Sequence, residues 1–205
     1  MRHLPEILDA HKTVAFDVET RSIYPKYEKE EAKQYLAENE EKNDTYRLAQ
    51  LVVNSSGLSN PSIVRTTHFI IGVSFSMSYI FIATDEATEL MIWKILSNYK
   101  GLMIIHNALF DLRIMFNRVS KMPTNIVDTS LLAKCFINHV NVWKAKVGLK
   151  DLMGEFYDPT WTKFKDYEPT DLKDPRFLEY AAIDGAATYH LHEKLNEWVD
   201  ENDAV

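Results

Sequence analysis

The stretch Val14 to Thr20, VAFDVET, ends an apolar run in two carboxylates one residue apart, Asp17 and Glu19. Residues i and i+2 of a strand point to the same side, so both acids leave one face at the end of what reads as a buried strand. Like charges placed there repel, and each loses its hydration, unless a cation stands between them. A divalent metal meets that need. A pair of solvated turn residues after a strand is the plainer alternative, and this stretch alone leaves both open.

A second acid sits where apolar residues belong. Asp174-Pro175 is a cap and first-turn proline, and the helix it opens runs to about Val199. The inward stripe of that helix is Phe177, Ala181, Asp184, Thr188, Leu191, Leu195 and Trp198. A carboxylate in a core row is costly unless it is paired, hydrogen-bonded or bound to a metal; for Asp184 a buried arginine or a strand-end amide would also serve. Tyr180, four residues earlier, shares its face. Gly185 costs a helix interior about 1 kcal/mol relative to alanine and would let another backbone or a ligand come close. Asp111 falls in the first turn of a helix directly after the short apolar strand Leu102 to Ile105, where by itself it reads as an acid that complements the helix dipole rather than as a ligand. Together Asp17, Glu19, Asp111 and Asp184 make an all-oxygen donor set, which favours Mg2+ or Mn2+ over zinc.

The elements that must position these acids are those of an α/β fold. Residues 1–13 form a lead-in whose Leu4, Ile7 and Leu8 pack on the domain edge. Lys26 to Arg47 is dense in Glu and Lys with a sparse apolar face, and reads as a surface helix. The excursion over about 26–66 is long for a connection in a compact domain, so it is a lid, a partner surface or a solvated decoration. His68 to Met77 and Tyr79 to Thr84 read as an antiparallel pair. Asp85 caps a helix to about Asn98 that Gly101 ends, and Asp128 caps Thr129 to Ile137. Leu149, Leu152, Met153 and Phe156 line one side of another helix. Cys135, the lone cysteine in LLAKCFI, reads as a core residue.

Composition narrows the rest. The 205 residues, 46% hydrophobic and 26% charged, suit one globular domain over 1–205. A single cysteine excludes a disulfide framework. No run has the length of a spanning helix or the pattern of a signal peptide, so a soluble, cytoplasmic protein is expected. A net charge of −7 argues against a broad basic surface for duplex nucleic acid. It is compatible with a narrow groove that grips a few phosphates through metal ions.

The order DVET, HNALFD, YAAID resembles the three exonuclease motifs of the DEDD superfamily, in the subclass with tyrosine in the third motif. The proofreading domains of DNA polymerase I and related phage polymerases are the nearest likeness. It covers about Val14 to Leu195 apart from the insertion, and takes in VDTSLLAKCFI and GLKDLMGEFYD. The resemblance implies a ribonuclease H-like mixed sheet flanked by helices and a two-metal 3'-5' exonuclease using Mg2+ or Mn2+. It would act on single-stranded or frayed DNA ends and release nucleoside 5'-monophosphates. By the same resemblance Asp17, Glu19 and Asp184 hold one ion, and Asp17 bridges to a second that Asp111 reaches largely through water. Tyr180 orients the attacking water. Ile23 matches a position that packs on the terminal base, and Asn107 belongs to the second motif; His106 reads as a structural hydrogen-bonding residue.

Among Phe156, Trp161 and Phe164, interleaved with Lys163 and Lys165, stacking on unpaired bases and ordinary packing are both open. The insertion is longer than the family pattern, and no polymerase region follows Val205. A free-standing enzyme, a partner of a separate polymerase subunit and an excised domain therefore all fit. An exoribonuclease similar to ribonuclease D and a binding module without turnover are the competing functions.

Overall fold

In a computed structural model, residues 3–22, 26–39, 43–54, 64–139, 146–157 and 174–201 are described. The strands are β1 (Thr13–Ser22), β2 (Val64–Ser74), β3 (Met77–Ile82), β4 (Leu102–Ile105) and β5 (Ile126–Asp128). They form one five-stranded sheet of order β3-β2-β1-β4-β5. β1 pairs antiparallel with β2 and parallel with β4, and β5 is parallel to β4. This is the mixed sheet flanked by helices that the sequence leads one to expect.

Alternation along β1 separates the two faces of the sheet. Val14, Phe16 and Val18 enter a core with α1 (His3–Ala10), α4 (Glu86–Leu96) and α5 (Ala108–Val119). There Trp93 meets Phe16 and Phe69 edge-on, at centroid distances of 5.8 and 4.8 Å. Full burial of each such side chain stabilises by roughly 1.5–3 kcal/mol. Arg118 of α5 pairs with buried Glu89 of α4 at 3.3 Å and donates to the Val64 carbonyl, tying α5 to α4 and to the start of β2. The opposite face is crossed by α8 (Pro175–Glu201). α6 (Thr129–His139) and α7 (Leu149–Phe156) pack on α8 through Ala133, Leu152, Met153, Ala187, Leu191 and Leu195.

The inward stripe of α8 is buried as its spacing requires, from Phe177 through Ala181, Asp184, Thr188 and Leu191 to Leu195. The helix comes this close because two glycines meet. A Cβ on Gly72 of β2 would lie 2.6 Å from the Gly185 carbonyl carbon, and one on Gly185 would lie 2.6 Å from Ile70 Cγ2. Gly185 is therefore spent on backbone approach to the sheet, one residue after Asp184.

Several local expectations are corrected. The segment read as one helix is two, α2 (Lys26–Glu38) and α3 (Asp44–Asn54), which share a small core of Ala32, Ala49 and Val52; Asn43 accepts from the Tyr46 N–H and separates them. The β2–β3 turn falls at Phe75–Ser76, before the point the sequence suggested. α4 stops at Leu96, where the Ser97 N–H closes on the Trp93 carbonyl, and Gly101 instead packs against Tyr99 and Lys12 beside β4. Cys135 is exposed, because α6 turns Leu132, Ala133 and Phe136 toward its neighbours.

Gly72→Ala should force α8 off the sheet. The expected loss is about 1–3 kcal/mol of unfolding free energy, the usual scale of overpacking, read by denaturant melts. Unchanged stability would mean that the glycine contact does not set the helix position.

Candidate active site

The β1–β4 pairing ends at Phe16↔Ile105. Beyond it β1 runs on with only β2 beside it among the described residues, and Asp17 is its first residue past that edge. Asp17 and Glu19 follow Ala15 on the side that faces α8. Just past Glu19 the register with β2 slips by one residue, from Glu19↔His68 to Thr20↔Thr66. The extra residue is Thr67, whose hydroxyl lies 3.2 Å from the Glu19 carbonyl; a bulge of this kind re-aims side chains at a strand end.

Asp184 arrives from the core stripe of α8. Ligand oxygens of Asp17, Glu19 and Asp184 lie within 4.8 Å of one another. Asp111, 2% exposed, is not within that group of three, but the charges of Asp17 and Glu19 act on it. Its Oδ1 is buried and accepts no hydrogen bond among the described residues. Burial is the main cause that pushes the Asp17 carboxyl up to about 6, against the pull of Lys150. Burial and then Asp17 push Glu19 up to about 8. Asp111 is raised well above the carboxylate range, by burial first and Asp17 next. Tyr180, one turn before Asp184, is held as a neutral phenol by burial and by the charges of Glu19 and Asp17.

The second motif is held from outside. The Asp128 carboxylate accepts from the N–H groups of Asn107 and Ala108 at 3.0 and 2.9 Å, and from the Ser130 N–H at 2.8 Å. It thus caps α6 while fixing the turn into α5. Asn107, exposed, sits there at φ 61°, ψ 54°, left-handed geometry that asparagine tolerates better than most residues. His106 lies 2.9 Å from the Val147 carbonyl through Nε2 and 2.9 Å from the Thr129 hydroxyl through Nδ1. A carbonyl only accepts, so Nε2 carries the proton and the Thr129 hydroxyl donates to Nδ1. Burial keeps the ring neutral, and His106 is structural.

Lys150 is the group that sequence reasoning missed. It pairs with Asp184 Oδ1, and its Nζ lies 4.5 Å from the Tyr180 ring centroid. Burial brings its pKa down to about 8 against the pull of Asp17 and Glu19. Its position was a signal: a cation in the first turn of α7 opposes the helix dipole, and it shares a face with Met153, three residues on and fully buried. Of the other expected contacts, Ile23, Trp161 and Phe164 lie outside the described residues, as do Lys163, Lys165 and the side chain of Phe156.

The family model DNA_pol_A_exo1, described as 3'-5' exonuclease, matches residues 1–200. The chain belongs to this family. The solved structures it resembles include NrnC of Brucella melitensis bound to pGG, at 18% identity and TM-score 0.59, covering 95% of this chain and 76% of that one. RNase D of Escherichia coli, an exoribonuclease involved in structured RNA processing, aligns at 17% identity and TM-score 0.58 over 97% of this chain. The catalytic core of RRP6 from Trypanosoma brucei aligns at 12% identity and TM-score 0.60 over 98%. The chain spans 42% of that RNase D and 45% of that RRP6 core. No curated protein matches it. Enzymes of the family use divalent metals, and the acidic group of this chain has the composition to bind them. No helix among the described residues is long and apolar enough to cross a membrane.

The raised carboxyls set the pH response of the metal-free protein. Asp17 and Glu19 hold protons in the folded state that the unfolded chain releases, between their ordinary values of 3.8 and 4.5 and the raised ones of about 6 and about 8. The stability they contribute is therefore present below the ordinary values and lost as pH rises through the raised ones. In a chelator the Tm should fall from about pH 5 to about pH 8, and Asp17→Asn should flatten the slope. A Tm that climbs over the same interval would contradict crowding of these acids.

Proposed function

We propose that this chain is a metal-dependent 3'-5' exonuclease that hydrolyses the terminal phosphodiester of single-stranded or frayed DNA and releases nucleoside 5'-monophosphates, as in proofreading. The observation that carries this reading is the convergence of Asp17, Glu19 and Asp184 within 4.8 Å, with Tyr180 one turn away on α8. Three carboxylates in a partly buried group, with a fourth acid whose Oδ1 accepts no hydrogen bond among the described residues, fit hard divalent cations such as Mg2+ or Mn2+. Asp17, Glu19 and Asp184 would hold one ion, and Asp17 and Asp111 a second.

Divalent ions, when bound, supply the Lewis acidity that eases deprotonation of an attacking water and offsets charge on the leaving 3' oxygen. The chain's own residues do the remaining work. Tyr180, kept protonated by burial and then by the charges of Glu19 and Asp17, orients the water by a hydrogen bond. The water oxygen bonds to phosphorus as the P–O3' bond breaks, and the released O3' takes a proton, leaving a new 3' hydroxyl. Asn107, locked by Asp128 at the C-terminal end of β4, stands ready to contact the terminal nucleotide. By residue type, Ile23 would meet the terminal base, and Phe156, Trp161 and Phe164 the unpaired strand. A polymerase subunit that hands over frayed 3' ends is the partner this reading implies.

A second reading, cleavage of RNA, is favoured by the names of the structural neighbours, RNase D among them. End-labelled DNA and RNA single strands with Mg2+ or Mn2+ separate the two, and degradation of RNA alone would replace the DNA assignment. Asp17→Ala should lose hydrolysis while folding normally, and the rise in Tm that divalent metal gives the wild type should vanish with it. Retained activity would end the metal-site assignment. Tyr180→Phe should lower kcat by about ten- to a hundredfold, the scale of a lost positioning contact, with metal binding unchanged.

A further inference from the structure

Lys150 is built into the acidic cluster rather than laid over it. Its side chain is 13% exposed, its Nζ is paired with Asp184 Oδ1 and lies 4.5 Å from the Tyr180 ring centroid. Its charge also acts on Asp17 and Glu19. One ammonium thus serves three carboxylates whose ligand oxygens lie within 4.8 Å. Its path into the site is fixed from behind: His106 donates to the Val147 carbonyl, three residues before Lys150, and Leu152 and Met153 anchor α7 in the core shared with α8. The lysine stem is flexible over four carbons, whereas the backbone that carries it is pinned.

We propose that Lys150 is a positioning residue that acts as a built-in counter-ion: it holds Asp17, Glu19 and Asp184 together in the metal-free protein and withdraws when a divalent cation takes its place. An ammonium on Asp184 and a hard cation bound by the same carboxylates exclude each other, by volume and by charge repulsion. A lysine suits this part better than an arginine, being a compact point charge on a flexible stem rather than a planar fork. The consequence is a trade: the residue stabilises the empty cluster and, by competing, weakens metal affinity. This inference rests on the reading of the three acids as metal ligands.

The test compares wild type with Lys150→Met, which keeps the stem and removes the charge, and Lys150→Arg, which keeps the charge. The readouts are Tm in a chelator and Mn2+ affinity by titration calorimetry. Lys150→Met should melt lower than wild type without metal, and should bind Mn2+ on the order of tenfold more tightly; Lys150→Arg should hold affinity near that of wild type. If the methionine variant does not fold in the chelator, Lys150→Gln carries the same comparison. Equal Mn2+ affinity in wild type and the uncharged variants, or weaker affinity in the latter, would overturn the counter-ion role while leaving the metal site standing. Absence of Mn2+ binding to wild type would remove the metal-site reading, and this inference with it.

Discussion

Mutual repulsion among partly buried carboxylates is the constraint on which this structure turns. Asp17, Glu19 and Asp184 have ligand oxygens within 4.8 Å of one another, and Asp111 is buried within reach of their charges. Removing ionised carboxylates from water is costly, and crowding them compounds the cost. The folded chain answers in two ways: the acids hold protons beyond their usual range, and Lys150 places its ammonium among them. Neither answer neutralises the cluster as well as divalent cations would. That residual frustration fits the proposed role of these acids as metal ligands.

The scaffold exists to enforce that unfavourable closeness. β1 supplies two acids from one face because side chains alternate along a strand, and its edge toward β4 ends at Phe16↔Ile105, just short of Asp17. α8 supplies the third acid from a buried, mostly apolar stripe, and the Gly72–Gly185 contact brings that stripe to the sheet. The Trp93 core on the opposite face and the Glu89–Arg118 pair fix α4 and α5, so Asp111 cannot drift from the strand ends. Hydrophobic burial on both sides of the sheet outweighs the electrostatic penalty concentrated at one rim.

A polar frame around the second motif completes the positioning. Asp128 grips two backbone amides at the turn into α5, and His106 bridges Thr129 to the Val147 carbonyl. These contacts join β4, β5, α6 and the approach to α7. His106 stays neutral because burial disfavours its charge, so the frame adds no further cation beside Lys150. The second motif is therefore held by groups that do not belong to the acidic set.

The sequence by itself determined the strand end bearing Asp17 and Glu19 and the core-row position of Asp184 beside Tyr180, since each follows from local periodicity, while the mixed sheet was implied by the resemblance of the three motifs to a known family. An acid in an apolar row is conspicuous because the energetic penalty is large and the neighbours are known from spacing alone. Only tertiary structure decided what depends on distant partners. Gly185 serves the Gly72 backbone, Cys135 faces outward because α6 turns its other side to its neighbours, and the described residues of the insertion include two helices that share a core of their own. Lys150 is odd in the sequence, a cation in the first turn of α7 on the face of Met153, but its partner becomes visible only when α7 and α8 are packed together and its ammonium meets Asp184. Local sequence fixes which way a side chain leaves the backbone, but long-range packing decides which charge it finds there.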